Sequence, residues 1–394
     1  MALPLIGGRR IRERYAWILA GAVSIAALAL GIAQLREPEP ERDTYRFVIL
    51  PPEGATLDEG FALSPDGRNL VFTATDAVGK SLLFLRSLDS TEARALPGTE
   101  GSSYPFWSPD SRFVGFHSLG KLRKIDIAGG PPQVLCDAAT HRGGAWNRDG
   151  VMLFAPLSGG PLYRVSDSGG VGVPLTTLDS ARQENAHRWP LFLPDGKHFL
   201  YVARSANPDH TGIYLRSLDS DESRRLIGAY SSVVYVPPYL LYVRGETLMA
   251  QPFDASRLEL TGEPFPVLEK VGSFLAMGKS HLSASENGVL AYRTHSSSYV
   301  LPIWFDRDGI RLGVLGSTAD YSNPNLSPDE RKLAFGRADP QTGTPDIWLL
   351  DLDRGTTSRF TSHTAGDYFP VWSPDGSRIV FASNRLSDGG TSLY

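Results

Sequence analysis

A four-residue turn recurs along this chain at nearly constant spacing, and that repetition limits the folds open to it more than any other feature. Its copies are Ser64-Pro65-Asp66-Gly67, Ser108-Pro109-Asp110-Ser111, Asn147-Arg148-Asp149-Gly150, Leu193-Pro194-Asp195-Gly196, Ser285-Glu286-Asn287-Gly288, Ser327-Pro328-Asp329-Glu330 and Ser373-Pro374-Asp375-Gly376. Successive copies are offset by 44, 39, 46, 92, 42 and 46 residues. Because 92 is two periods of 46, a degenerate unit is expected in the gap, and Val236-Pro237-Pro238-Tyr239 occupies its place, which makes eight units. Each position suits a tight corner between antiparallel strands. Proline presets φ, aspartate suits the next position, glycine accepts left-handed backbone, and serine can bond back to the free amides.

The sequence on either side of the turns supplies the strands. A short apolar run precedes each turn, as in Pro105-Phe106-Trp107, Pro190-Leu191-Phe192 and Pro370-Val371-Trp372, and a second follows it, as in Leu70-Val71-Phe72 or Ile379-Val380-Phe381. Better units add a third, such as Ile213-Tyr214-Leu215 or Ile347-Trp348-Leu349-Leu350. Three or four short strands per unit of 40 to 45 residues is the pattern of β-propeller blades, whose face-to-face stacking covers both sides of the inner strands and leaves them apolar throughout. The expected fold is therefore all-β, with four-stranded blades. The blades divide in one of two ways: a six-bladed ring over residues 45–316, with Phe47-Val48-Ile49-Leu50 pairing into its last blade and further blades of a second propeller over 317–394, or a single ring of seven or eight. The first division is favoured because the motif sharpens again at Tyr321 after two weak units.

Composition agrees with a chain that turns often: 40 glycines and 29 prolines in 394 residues. A formal charge of −4 gives no global positive field for a phosphate backbone, so nucleic acid is not an expected partner. Cys136 is the only cysteine, which excludes an internal disulfide and a thiolate metal cluster.

Residues 15–35 contain no ionised side chain, and at about 1.5 Å per residue they would cover roughly the 30 Å of a bilayer's hydrocarbon layer. Tyr15 and Trp17 suit an interface. The alternative is a cleaved signal peptide, since Ala27, Leu28 and Ala29 form a small-residue cleavage pattern after a basic start. Arg9, Arg10, Arg12 and Arg14 precede the span and acids dominate after it, so the positive-inside rule places residues 1–14 in the cytoplasm and the remainder outside the inner membrane. Residues 36–44, with Pro38 and Pro40 among charges, read as a stiff linker.

The pattern P-x-W-S-P-D-G followed by a Phe-containing strand closely resembles the WD40-like repeats of the TolB family, from about Phe61 onward, with the best copies at residues 321–335 and 368–383. Together with the anchor, the stretches 321–329 and 346–352 are similar to the outer region of bacterial transmembrane serine/threonine kinases that carry such propellers. That resemblance implies an extracytoplasmic sensor for a protein or envelope ligand. The chain has no glycine-rich phosphate loop and no H-R-D or D-F-G run, and it stops within its last unit, so a fragment lacking the kinase domain is expected.

No catalytic or cofactor site is expected. A prolyl-oligopeptidase-type hydrolase would need a nucleophile elbow, and G-x-S-x-G does not occur. The turn aspartates, one per unit, are too far apart to converge on a metal ion, so Ser64, Pro65, Asp66, Gly67, Ser373, Pro374, Asp375 and Gly376 read as structural. Residues just before each inner strand would ring one mouth of a propeller channel: Tyr104, His141, Arg142, His187, Arg188, His281, Tyr321 and Tyr368. Aromatic and arginine side chains there could anchor a peptide or small polar ligand, or the tyrosines could simply pack on the next blade. His187 with Arg188 is the preferred pair, because it interrupts the small residues usual at that place.

Overall fold

Each turn closes through its own side chains, which is why it can repeat in otherwise divergent sequence. In the computed structural model Ser64 Oγ donates to Asp66 Oδ1 at 2.5 Å and accepts from the Asn69 amide at 2.9 Å, while the same carboxylate oxygen accepts from the Arg68 amide at 3.0 Å. The pattern returns at Ser108 with Asp110, Ser327 with Asp329, and Ser373 with Asp375. At the last of these, donors led by the Ser373 hydroxyl hold the Asp375 carboxyl at about 2. Gly67 and Gly376 take left-handed backbone, and Ser111 and Glu330 accept the same conformation without being glycine.

The structure describes residues 15, 17–19, 21–25, 27, 46–294, 299–300, 302–315, 319–339, 344–385 and 392–394. They fall into two compact units, Met1–Leu50 and Pro51–Tyr394. In the first, the described positions between 15 and 27 are helical, and Tyr15, Trp17, Ile18, Leu19, Val23 and Ile25 are exposed. Among the described residues no helix is long and apolar enough to cross a membrane, and most of the expected span 15–35 lies outside them. Residues 47–50 form no strand, and Phe47, Val48 and Leu50 are exposed, which corrects the expectation that this run pairs into a blade.

The second unit is a succession of antiparallel sheets in chain order. The first holds β1 (Thr56–Leu63), β2 (Asn69–Thr75), β3 (Ser81–Ser87) and β4 (Ala93–Ala95); the second β5 (Ser103–Trp107), β6 (Phe113–Ser118), β7 (Lys121–Asp126) and β8 (Gln133–Asp137). The third holds β9 (Gly144–Trp146), β10 (Val151–Phe154), β11 (Tyr163–Ser166) and β12 (Val173–Pro174); the fourth β13 (Glu184–Phe192), β14 (His198–Ser205), β15 (Gly212–Ser217) and β16 (Ser223–Ile227). In the fifth, β17 (Val233–Val236), β18 (Tyr239–Arg244), β19 (Thr247–Asp254) and β20 (Glu259–Leu260) are joined by β21 (Phe265–Leu268). The expected degenerate unit is this fifth sheet, whose first turn contains a cis Pro237-Pro238 bond.

Two-stranded pieces follow: β22 (Ser273–Phe274) with β23 (Lys279–Ser280), and β24 (Leu282–Ala284) with β25 (Leu290–Tyr292). Next, β26 (Tyr299–Val300) pairs β29 (Ala319–Asp320), and β27 (Ile303–Phe305) pairs β28 (Arg311–Val314). Full sheets resume with β30 (Ser322–Leu326), β31 (Lys332–Ala338), β32 (Pro345–Asp351) and β33 (Thr356–Arg359), then β34 (Asp367–Trp372), β35 (Ile379–Ser383) and β36 (Ser392–Leu393).

Core layers lie between consecutive sheets. Val71, Leu83 and Leu85 of the first pack with Trp107, Val114 and Phe116 of the second. Leu122 and Leu135 meet Trp146, Met152 and Phe154; Leu153 meets Phe199, Tyr201 and Tyr214; Leu200, Val202 and Ile213 meet Val233, Leu240 and Tyr242. Leu241, Val243 and Leu248 then pack on Leu282 of β24. The first strands follow one another side by side as β1, β5, β9, β13, β17 and β24, and β24 returns to β1. Sheets stacked face to face about an axis, with the earliest strand of each innermost, make this a β-propeller. The later sheets repeat the arrangement, with Ala334 and Ile347 packed on Ile379 and Phe381.

Candidate functional site

Several first strands share a bulge, and in β5 and β13 it helps set the geometry of the channel they line. Register slips between Ser103 and Phe106, Arg188 and Leu191, Ser322 and Asn325, and Tyr368 and Val371. At each slip a non-glycine residue with positive φ precedes a proline: Tyr104 at 44°, Trp189 at 51°, Asn323 at 49° and Phe369 at 53°. Left-handed backbone costs such residues roughly 1–2 kcal/mol, so the surrounding packing must impose it. A bulge re-aims a side chain. Tyr104 and Trp189 thereby become lining residues of the central channel.

That channel has a volume of about 530 Å³ and runs between the inner strands of successive sheets. At one end it reaches the turns, where Pro65, Pro109, Arg148, Pro194 and Glu286 line it. Arg148, Pro194 and Glu286 are exposed, so this end meets solvent. The Arg148 guanidinium and Glu286 carboxylate stand 4.0 Å apart across the rim.

The other end is crossed by a short turn, Leu275–Met277. Trp189 Nε1 donates to the Met277 carbonyl at 2.8 Å, and the Tyr104 hydroxyl lies 3.3 Å from Met277 Sδ and donates to Glu59 at 2.9 Å. Arg188 donates to Tyr230 and Ser158 at 2.7 Å and to the Ala276 and Met277 carbonyls at 3.4 Å. Gly278 follows with φ +63°, and a Cβ there would come within 2.9 Å of the Tyr230 ring. Buried serines fix the next strand, the Ser280 amide donating to Ser232 Oγ at 2.9 Å and the Ser231 and Ser280 hydroxyls meeting at 2.6 Å. This clamp presents Lys279 to the channel, its Nζ 5.0 Å from the Trp189 ring centre.

The residues singled out in the sequence divide by place. Tyr104, Trp189, His141 and His117 form a continuous aromatic stack, with ring centres 5.0 Å (Tyr104 to Trp189), 4.8 Å (Tyr104 to His141) and 4.6 Å (His141 to His117) apart. Burial, followed by the charge of Glu59, pushes the Tyr104 phenol well above its usual range. His141 is pushed down to about 3, first by burial and then by His117 and Arg142. Arg142 is half-buried and bonds to the His141 carbonyl.

His187 and Arg188, expected at the channel mouth, are buried, being only 2% and 4% accessible. His187 lies between the Thr176 hydroxyl at 2.8 Å and Glu184 at 2.9 Å. Thr176 Oγ1 also accepts the Leu162 amide at 2.8 Å, which fixes the hydroxyl beside the ring. Arg188 is spent on the closing turn. Burial works first against its charge, and Arg142 and Arg204 add repulsion that Tyr230 opposes, bringing it to about 10, still protonated at neutral pH. His281 is buried beside β24. Tyr321 is buried against Phe335, its ring centre 4.5 Å away, and half-buried Tyr368 covers Gly366. The structure thus gathers Tyr104, His141, Arg142 and Arg188 at the closed end and keeps Tyr321 in the core of a later sheet.

Sequence reasoning missed Trp189, Met277 and Lys279. A Trp-Pro pair inside an apolar run was a usable signal; residues 275–279 offered only Gly278 as a mark of a turn.

No family model matches the chain. Over 100 residues, or 24% of it, the chain is 37% identical to the Tol-Pal system protein TolB of Alcanivorax borkumensis, of which the match covers 23%. Over 148 residues, or 37%, it is 31% identical to an uncharacterised peptidase of Bacillus subtilis, of which 22% is covered. The chain thus spans less than a quarter of these relatives' own length. A solved TolB-type protein of Agrobacterium tumefaciens is 18% identical with a TM-score of 0.30, covering 75% of this chain and 76% of that one. The repeats are TolB-like, as the turn motif indicated.

Proposed function

We propose that the chain is a binding or sensing propeller whose first five sheets, together with the β22–β25 pieces as the sixth blade, close as a six-bladed ring and whose central channel, entered from the turn end, engages a protein or envelope ligand. The observation that carries this is the channel: about 530 Å³ is a ligand-sized space, aromatic at its walls and sealed at one end by a dedicated turn. In this reading residues 15–35 anchor the propeller in the inner membrane with the N-terminus cytoplasmic, for which the exposed apolar helical residues between 15 and 25 are the support. The order of parts is that of a receptor-kinase-like protein, and the chain acts by binding rather than by catalysis.

The test is in-membrane cross-linking of the full chain and of Glu286→Trp, which fills the open mouth. Loss of specific cross-linked species in the variant is expected, and identical species in both would retire the channel as the binding site.

A second reading, the propeller of a hydrolase, is favoured by similarity to the Bacillus subtilis peptidase. Specific cross-linking of the chain to a separate, fluorophosphonate-labelled hydrolase would support it over the first.

A further inference from the structure

Lys279 places an ammonium at the closed end of the channel with no acid to meet it. Its contact is the face of Trp189, 5.0 Å from Nζ, and among the described residues no hydrogen bond or ion pair is recorded for that nitrogen. The residue is half-buried and lines the channel. Burial alone pushes its pKa down, to about 8, so no neighbouring charge offsets the loss of water. Such a group is costly to keep unless something pairs with it. Nothing about the backbone is accidental here, because the bonds of Ser231, Ser232 and Ser280 hold β23 in place on either side of the lysine.

The rest of the cavity defines what could pair. Its walls include the aromatic residues Tyr104, Phe106, Trp189 and Tyr235, with Trp189 beside Lys279, and Arg148 and Glu286 stand at its turn-end rim. A bare inorganic anion would leave those walls uncovered, and an uncharged apolar group would leave the ammonium uncovered. A carboxylate carried on an apolar or aromatic body satisfies both.

We propose that the channel is a carboxylate receptor, in which an apolar or aromatic group enters from the turn end and its free carboxylate is bound by Lys279 against Trp189. The inference deepens the binding reading above and rests on the channel being its site. Two sources share this chemistry, a free organic acid and the C-terminal residue of a polypeptide.

Calorimetric titration of the full chain with 3-phenylpropionate, with acetyl-Gly-Gly-Phe, and with the same peptide amidated at its C-terminus separates them. The free acids are expected to bind, the amide at least about tenfold more weakly than its acid, and Lys279→Met to reduce the acid to the level of the amide. Binding of 3-phenylpropionate alone points to a small acid, and binding of the peptide acid to a chain terminus. The comparison of acid with amide on the unaltered protein needs no variant, and Lys279→Met removes an unpaired buried charge, so its unfolding temperature should not fall. Equal binding of acid and amide, no binding of either acid, or unchanged acid binding by Lys279→Met overturns the proposal. Carboxylate binding without any cross-linked protein partner would retire only the protein-ligand reading, and partners retained equally by Lys279→Met would retire only this one.

Discussion

His141 sits between two rings, Tyr104 on one side and His117 on the other, and its Nδ1 has no hydrogen-bond partner among the described residues. Burial denies water to a proton there, and His117 and Arg142 add repulsion, which is why the group is held at about 3. An unfolded chain titrates near 6.5, so between about 6.5 and 3 it binds a proton that the folded chain refuses. Stability therefore falls as pH drops through that window, by at most about 1.4 kcal/mol per unit from this group. Urea unfolding of the chain and of His141→Phe from pH 7 to pH 4 should show the variant losing less stability with acid. Parallel curves would mean that His141 is protonated without penalty.

Between residues and the ring stand the staples that join one sheet to the next. Trp107 Nε1 donates to the Ala62 carbonyl of the preceding sheet at 3.0 Å, and Trp372 Nε1 repeats this to Asn325 at 3.1 Å. Trp107→Phe leaves that carbonyl unmet and the core layer thinner, at a cost of about 1–3 kcal/mol, read from the denaturation midpoint of the variant against that of the unaltered chain. No change would show that the staple is dispensable. The staple and the turn were legible in the sequence because each is built from adjacent residues of fixed type, such as Trp107 beside Ser108-Pro109-Asp110. The bulges were not, because left-handed backbone is occupied by Tyr104, Trp189, Asn323 and Phe369, none of them the glycine that advertises it. A second repeat was hidden likewise. Thr99, Thr176 and Thr361 accept the amides of Leu83, Leu162 and Ile347 at 2.8–3.0 Å, 14 to 16 residues away, a spacing that no strand or helix period marks. His187 and Arg188 were noticed for interrupting the pattern, yet only their partners, Thr176 and the Met277 turn, reveal that the interruption is structural.

At the scale of the molecule the decisive feature is the seam where β24 and β25 meet β1. Hydrogen bonds cross it from the Leu63 amide to Ser283 Oγ at 2.9 Å, the Glu286 amide to the Pro65 carbonyl at 3.0 Å, Asn287 Nδ2 to the Asp66 carbonyl at 2.8 Å and Arg293 Nη1 to the Asp58 carbonyl at 2.5 Å. Asn287 is pinned from behind by the Ser285 hydroxyl at 2.5 Å. Gly67 faces it so closely that a Cβ there would fall 2.2 Å from Asn287 Oδ1, whereas at Gly376, with nearly the same φ, the nearest atom is Pro328 Cδ at 3.7 Å. Alanine at either site carries the left-handed backbone penalty of about 1–2 kcal/mol. Only at Gly67 must it also displace Asn287 and forfeit bonds worth about 1 kcal/mol each. Gly67→Ala should therefore destabilise its neighbourhood by about 2–4 kcal/mol and Gly376→Ala by about 1–2 kcal/mol. Hydrogen exchange resolves the two locally: residues 282–292 should exchange faster in Gly67→Ala and stay unchanged in Gly376→Ala. If the two variants exchange alike over 282–292, side-chain bonds at this seam do not hold β24 and β25 against the first sheet, and the six-bladed ring loses its support.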